Sequence, residues 1–254
     1  MKKSLILGAA ALCLPAFAQA DTLGFEVGVS AWNQNYEGTV QSGPDSLDIE
    51  QTLGLEDETN NSFYVLIEHP IPLIPNVMLA RTEMDIEETV NIDDGFIFDG
   101  TPFPSGTQVT TESDLSHTDL TLYYELLDNW VSLDVGVTVR QFDEGITLTG
   151  EVPIGPSTLT LKASEEIDDT LPMLYVAAKF DLPLTGLYVG GDVNALAYDG
   201  DSLIDYKVNI GYETSFGLGI EAGFRSFDLD YEDSRDEKAD ATIDGGYATL
   251  FYHF

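Results

Sequence analysis

Residues 131–140 read Val-Ser-Leu-Asp-Val-Gly-Val-Thr-Val-Arg, so that Val131, Leu133, Val135, Val137 and Val139 alternate with Ser132, Asp134, Gly136, Thr138 and Arg140. Successive side chains of a β-strand point to opposite faces, so this stretch predicts a strand with one apolar face and one polar, partly charged face. The chain end repeats the pattern: in Gly246 to Phe254 (GYATLFYHF), Ala248, Leu250, Tyr252 and Phe254 alternate with Tyr247, Thr249 and His253.

Eight further runs share this period of two. Phe25, Val27, Val29 and Ala31 oppose Glu26, Gly28, Ser30 and Trp32; Phe63, Val65 and Ile67 oppose Tyr64 and Glu68. A third run sets Met78, Ala80, Met84 and Ile86 against Arg81, Glu83 and Asp85. Leu120 to Leu126, Leu174 to Phe180, Leu187 to Ala195, Ile204 to Tyr212 and Ile220 to Phe224 complete the set, making ten strands.

Composition narrows the class. The 254 residues carry 45 acidic and 10 basic side chains, a net charge of −35, which excludes a nucleic-acid binder working through phosphate contacts. With 43% hydrophobic and 11% aromatic residues, the chain has ample apolar surface to fold. No run reaches the ~18 apolar residues of a membrane helix. Residues 1–20 read as a secretory signal: Lys2 and Lys3, an apolar run from Leu5 to Phe17, then Ala18-Gln19-Ala20. The mature chain is expected to begin at Asp21 and to span 21–254. The single cysteine, Cys13, follows Leu12 where a lipoprotein signal needs a small residue, and it leaves with the signal, so no disulfide or cysteine nucleophile is expected.

A soluble sandwich would turn the apolar faces inward; a transmembrane barrel turns them to lipid. The polar faces favour the barrel. They hold Arg81, Arg140, Lys179, Lys207 and Arg225 among acids such as Glu26, Glu83, Asp134, Asp205 and Glu221. A narrow lumen needs such cations to neutralise carboxylates cut off from bulk water. Connections agree, since short gaps near residues 69–76, 128–130, 181–186 and 214–216 alternate with long polar ones, Asp199 to Ser202 being the one brief exception, as in bacterial outer-membrane barrels. The fold class expected is therefore all-β: a transmembrane, antiparallel, up-and-down β-barrel of ten strands, both termini periplasmic.

The end of the chain, with Tyr252 and the terminal Phe254, resembles the signal read by the outer-membrane barrel assembly machinery of Gram-negative bacteria. The whole mature sequence resembles the small outer-membrane β-barrel proteins. It is most similar to a ten-stranded family whose first strand is punctuated by glycine and ends in Trp (here FEVGVSAWN), followed by an acidic LGL segment (here LDIEQTLGLEDETN). The resemblance implies topology and a location in the cell outer membrane. That family has no assigned activity, so it brings no site residues. The omptin proteases, also ten-stranded, use paired aspartates and a His-Asp pair near the outer rim, and this sequence shows no match to that arrangement.

Catalytic residues are not expected. Ser116 and His117 are strand neighbours pointing to opposite faces, and His117 reads as a solvated rim residue. His69 and His253 lie at the periplasmic end. Asp228, Asp230, Glu232 and Asp233 (in DLDYED) begin like a calcium loop, yet the sixth position is Asp233 and the twelfth is Ala239 rather than Gly and Glu. No cofactor is expected beyond weak Ca²⁺ or Mg²⁺ association.

Ten strands lie near the size at which side chains fill a barrel, and Trp32, Tyr64, Tyr123, Tyr175 and Tyr188 are bulky inward residues. The expected lumen is a charged plug, and the expected role structural or surface-interacting. The alternatives are a narrow cation-preferring channel and, behind it, an outer-membrane hydrolase. An alternating pair, Ile146 to Thr149 and Thr158 to Leu161, predicts that the fifth and sixth strands extend beyond the bilayer as a β-hairpin. The five outer connections hold 32 acids against three bases. Expected partners are outer-membrane lipid and lipopolysaccharide, bridged by divalent ions, with the protein as a monomer.

Overall fold

The computed structural model describes residues 23–71, 73–167, 170–232 and 237–254. The segment expected to be a secretory signal, residues 1–20, and Asp233 lie outside the described residues. The described chain contains seventeen strands and no helix. In order they are β1 (Gly24–Ser42), β2 (Ser46–Asp48), β3 (Asp57–Glu68), β4 (Asn76–Thr82), β5 (Asp85–Asn91) and β6 (Phe96–Phe98). Next come β7 (Thr101–Phe103), β8 (Gln108–Asp114), β9 (His117–Asp128), β10 (Val131–Phe142), β11 (Gly145–Ile154) and β12 (Ser157–Glu166). The last are β13 (Thr170–Asp181), β14 (Leu187–Tyr198), β15 (Asp201–Glu213), β16 (Leu218–Glu232) and β17 (Glu237–His253).

Ten of them pair in the order β1, β3, β4, β9, β10, β13, β14, β15, β16, β17, all antiparallel, and β17 returns to β1. The sheet closes and has no free edge. Each strand contributes to an outward apolar belt: Val29, Phe63, Leu79, Leu122, Val137, Leu174, Val189, Val208, Ile220 and Leu250, one per strand, are all exposed. An exterior of this kind suits hydrocarbon and not water.

The third run differs from its sequence reading. Ala80 pairs with inward Tyr64, whereas Arg81 pairs with Phe63, which is outward and exposed. Met78, Ala80 and Thr82 therefore face the lumen, and Leu79 and Arg81 face out. The cause is local: Met78, Leu79 and Ala80 are apolar on both faces, so parity is ambiguous. The run also ends at Thr82, and Ile86 belongs to β5 in a separate sheet.

Several strands continue past the belt, and there their faces exchange character. Along β17 the outward row changes from Tyr252, Leu250 and Ala248 to Asp244, Thr242 and Asp240. The inward row changes from His253 and Thr249 to Ile243 and Ala241, both buried. Along β16 the outward row runs from Ile220 and Phe224 to Asp228 and Asp230, and the inward row from Glu221 and Arg225 to Phe227. The exchange marks where the solvent outside the wall changes from lipid to water.

Beyond it a cap covers the barrel. Strands β12, β11, β8 and β5 form a four-stranded sheet, and β6 pairs with β7. The expected hairpin is present as β11 and β12, with Thr147 opposite Ser164. It prolongs the wall: β11 follows β10 and β12 leads into β13, and the cap sheet keeps the order of the wall, with β12, β11, β8 and β5 standing beyond β13, β10, β9 and β4. The cap shares one hydrophobic core with the outer ends of the barrel strands: Leu53, Leu55, Met84, Phe98, Phe103 and Leu148, all nearly inaccessible, belong to the same cluster as Tyr36, Phe142, Phe227 and Ile243.

At the opposite end lie four short turns and both ends of the described chain, where the Phe254 N–H donates to the Phe25 carbonyl at 2.8 Å. Each short turn carries a large exposed apolar side chain: Leu73, Trp130, Leu184 and Phe216. Leu73 and Leu184 do so with positive φ, 72° and 67°.

Candidate functional site

The lumen is the candidate site. At its cap end Arg140, 0% exposed, donates from Nε and Nη2 to the two oxygens of Asp119 at 2.8 and 2.7 Å. Its Nη2 also reaches Asp205 Oδ2 at 2.7 Å. Arg225 donates to the same Asp205 through Nε and Nη2, at 2.9 and 2.7 Å, and through Nη1 to Thr82 Oγ1 at 3.3 Å. Because Asp119 is on β9, Arg140 on β10, Asp205 on β15, Arg225 on β16 and Thr82 on β4, this chain of bonds crosses the lumen from wall to wall. Two arginines and two aspartates balance in charge, and their geometry is of the fork type that makes such bonds strong. Trp32 lies under Arg225, whose guanidinium carbon is 4.6 Å from the ring centroid.

Directly above, His117 stacks with Phe227 and meets Phe142 edge-on, with centroids 6.2 and 5.4 Å away. His117 is fully buried and bonds through Nδ1 to the Leu115 carbonyl at 3.0 Å. This corrects its reading as a solvated rim residue: the rim is roofed by a cap core that the acid-rich composition concealed. Ser116 Oγ accepts from the Met84 N–H at 3.0 Å, so its hydroxyl is engaged with backbone.

Below the arginine layer a cavity of about 360 Å³ runs to the short-turn end, lined among others by Glu26, Glu68, Asp134, Lys179, Lys207 and Glu221. Tyrosine hydroxyls hold its carboxylates. Tyr64 donates to Glu26 at 2.5 Å, Tyr123 to Glu68 at 2.9 Å, and Tyr188 and Tyr247 to the two oxygens of Glu221 at 3.0 and 3.2 Å. Room for these rings comes from glycine across the ladder. A Cβ on Gly28 would stand 2.2 Å from the Tyr64 ring, and one on Gly211 would stand 2.1 Å from that of Tyr188.

Of the lumenal residues expected from sequence, Glu26, Asp134, Arg140, Lys179, Asp205, Lys207, Glu221 and Arg225 are in the lumen. Arg81 and Glu83 are not. Arg81 faces out and pairs with Asp143 at 2.5 Å, and Glu83 is exposed beyond the end of β4. That hydrogen bond from Arg81 holds the Asp143 carboxyl below its ordinary value, partly opposed by desolvation. The polar face of its strand already places Asp119 in the lumen; its bidentate bond to Arg140 is the part of the layer that only pairing across strands reveals.

The carboxylates of DLDYED are also placed differently from a calcium loop. Asp228, Asp230 and Glu232 lie in β16, extended and not curled around an ion. Asp228 accepts from Ser226 and Thr242 at 3.0 and 2.9 Å, and Glu232 pairs with Lys238 at 2.6 Å. Among the described residues no group of three His, Cys, Asp or Glu is arranged to hold a metal ion. A groove of about 710 Å³ on the cap sheet, lined by β5, β8, β11, β12 and the connection before β11, gathers Asp85, Glu87, Glu112, Asp114, Asp143 and Glu144. Tyr252 is on the outward face of the closing strand, and the ring of Phe254 lies 4.5 Å from it and 5.3 Å from that of Phe25.

No family model matches the sequence, and no curated protein does. Solved structures do match. The outer membrane protease OmpT from Escherichia coli aligns with a TM-score of 0.52 at 10% identity, over 92% of this chain and 97% of that one. A toluene transporter of P. putida, TodX, aligns at TM-score 0.36 and 11% identity over 92% and 90% of the two chains. Neisserial surface protein A aligns at 0.28 and 9% over 91% and 97%. At these identities the likeness to OmpT is one of architecture alone. The chain has the fold of the bacterial outer-membrane β-barrels, closed with ten strands and antiparallel throughout.

Proposed function

We propose that this is an integral outer-membrane protein with a structural or surface-interaction role. Its cap faces outward, its termini face the periplasm, and its lumen is shut to ions. The observation that carries the reading is the chain of bonds from Asp119 through Arg140 and Asp205 to Arg225 and Thr82, lying beneath a packed cap core. An ion passing it would have to part buried charge pairs. Planar-bilayer recording of the purified protein tests this: the baseline should stay flat, and steady openings at nanosiemens level would sink the closed-lumen reading.

One observation favours a second reading, a narrow cation-preferring channel. The cavity below the arginine layer is lined by more carboxylates than cations, and a path through it would select cations. Reversal potentials in a salt gradient would reveal it. Enzymatic activity is not part of the proposal. The acidic cap would repel anionic lipopolysaccharide unless divalent ions lie between them, so cap-dependent surface binding should weaken in EDTA. The last strand, with Tyr252 and Phe254, is proposed as the contact with the assembly machinery.

A further inference from the structure

Within the acid-rich connection from β10 to β13, residues 152–161 (VPIGPSTLTL) carry no charge. They form the outer part of the β11–β12 hairpin, whose strands meet at Gly155 and Pro156. Strand β8 pairs with β11 only as far as Glu151, opposite Gln108, so the tip of the hairpin stands beyond the rest of the cap sheet. One face of that tip is apolar. Val152 is opposite Leu159, Ile154 and Leu161 share their side, and Ile154 and Leu159 are 55% and 46% exposed.

The outer edge of β12 is open. Among the described residues β12 ends its sheet and pairs with β11 alone. In an antiparallel ladder the N–H and C=O of every second residue turn away from the partner strand. The Lys162 carbonyl is on the turned-away side, where it accepts from Thr101 Oγ1 at 3.5 Å, so the main-chain groups of Thr160 and Thr158 face the same way. The order of the wall tells what lies beside them. β12 stands beyond β13, whereas the next wall strands, β14 and β15, close in the short Tyr198–Asp201 turn with no described strand beyond it. The crown is therefore notched: the edge of β12 is one side, Asp199 and Asp201 are on the floor, and Asp230 and Glu232 of β16 are across it.

Exposed edges are ordinarily kept from pairing by charge or proline. Here those guards stand at the two ends, Pro156 in the turn and Lys162 toward the rim, and leave Ser157 to Leu161 unguarded. A second copy of this chain would bring its own acidic crown, and like charge opposes that approach; a basic segment is drawn by the same field. We propose that the β12 edge takes up an extended, basic segment of a partner protein as an added strand. Its main chain bonds to Thr158 and Thr160, alternate apolar side chains continue the face of Val152 and Leu159, and its lysines or arginines lie over Asp199 and Asp201. Main-chain bonds supply the affinity and the acids select the partner. This deepens the surface-interaction reading and rests on it for a cap that faces outward.

Titration of the folded protein in detergent at low salt tests it, with the fluorescently labelled peptide KRTVTVTV as probe and anisotropy as readout. Two comparators separate strand addition from charge attraction: EETVTVTV reverses the charge, and KRTPTPTV keeps it but loses N–H groups. KRTVTVTV should bind saturably and both comparators about tenfold more weakly or worse. Thr160→Pro removes an outward N–H and spares the ladder to β11, so it should keep the folded band on gels and lose about tenfold or more in affinity. Should that variant fail to fold, Thr158→Pro carries the same test. Asp199→Asn should weaken binding at low salt and make little difference at high salt. Absence of KRTVTVTV binding, equal binding of KRTPTPTV, wild-type affinity in folded Thr160→Pro and Thr158→Pro, or self-association through this edge in place of peptide binding would overturn the proposal. Intact cells separate the two readings. Capture of KRTVTVTV by the purified protein but not by cells would keep the edge site and remove the outward cap; a cap cut by protease on intact cells, with no capture by the purified protein, would do the reverse.

Discussion

The barrel wall and the cap are built from the same alternation and solvated in opposite senses. In the wall the apolar row faces out and charged residues such as Arg140 and Asp205 are buried; in the cap Leu53, Phe98 and Leu148 are buried and acids line the surface. Strands β16 and β17 take part in both, exchanging sides partway along. Period two therefore reports that a strand separates two media, and only the neighbours report which medium is inside.

The comparison can be broken most forcefully at its centre. Arg140→Ala would leave Asp119 and Asp205 buried with one cation between them, and truncating one partner of a buried pair costs roughly 3–5 kcal/mol. The expected result is loss of the heat-modifiable folded band on gels, or a large fall in Tm. In the cap, Leu148→Ala should cost about 2–5 kcal/mol, but locally. Limited proteolysis should open the region 85–166 while the barrel keeps its gel shift, and unfolding of both together would show that wall and cap are one cooperative unit.

A third test sets the outward faces against each other. Val137→Arg places a charge on the lipid side and should cost about 2–4 kcal/mol if it sits near the bilayer midplane. Thr242→Arg, on the outward row of β17 past the exchange, should be close to neutral. Equal costs in denaturant titrations within lipid vesicles would misplace the water boundary. The smallest effect concerns Asp143. Its carboxyl is held below the usual value by Arg81, so the contribution is present above the ordinary aspartate range near pH ~4 and fades as pH falls through the lowered folded value. Both partners are substantially exposed, so the acid-side difference between wild type and Asp143→Asn should be slight, read as converging melting curves below that range.

Strand number, closure and most of the lumenal set were legible because each wall strand faces lipid on one side and charge on the other. Legibility failed where that contrast failed. Leu79 and Met78 are both apolar, so alternation alone does not tell which face of β4 meets lipid, and Arg81 stands outside the wall and not in the lumen. The cap core was hidden for another reason: Leu53, Leu55, Phe98 and Phe103 are spread through acidic connections and meet only in three dimensions. The partnership of Arg140 with Asp119 and Asp205 follows from register, to which composition is blind.

The apolar tips of the short turns bear on mechanics. Leu73 and Leu184 occupy left-handed backbone that costs a branched side chain about 1–2 kcal/mol and that glycine would enter freely, yet both present leucine, 92% and fully exposed. With Trp130 and Phe216 they form a soft ring at one rim, opposite a charged, water-loving crown. A cylinder so ended has a restoring force in each direction along the bilayer normal. Rising would drag the ring out of the interfacial layer, and sinking would push carboxylates into hydrocarbon. The molecule rides at a fixed draught, like a moored float.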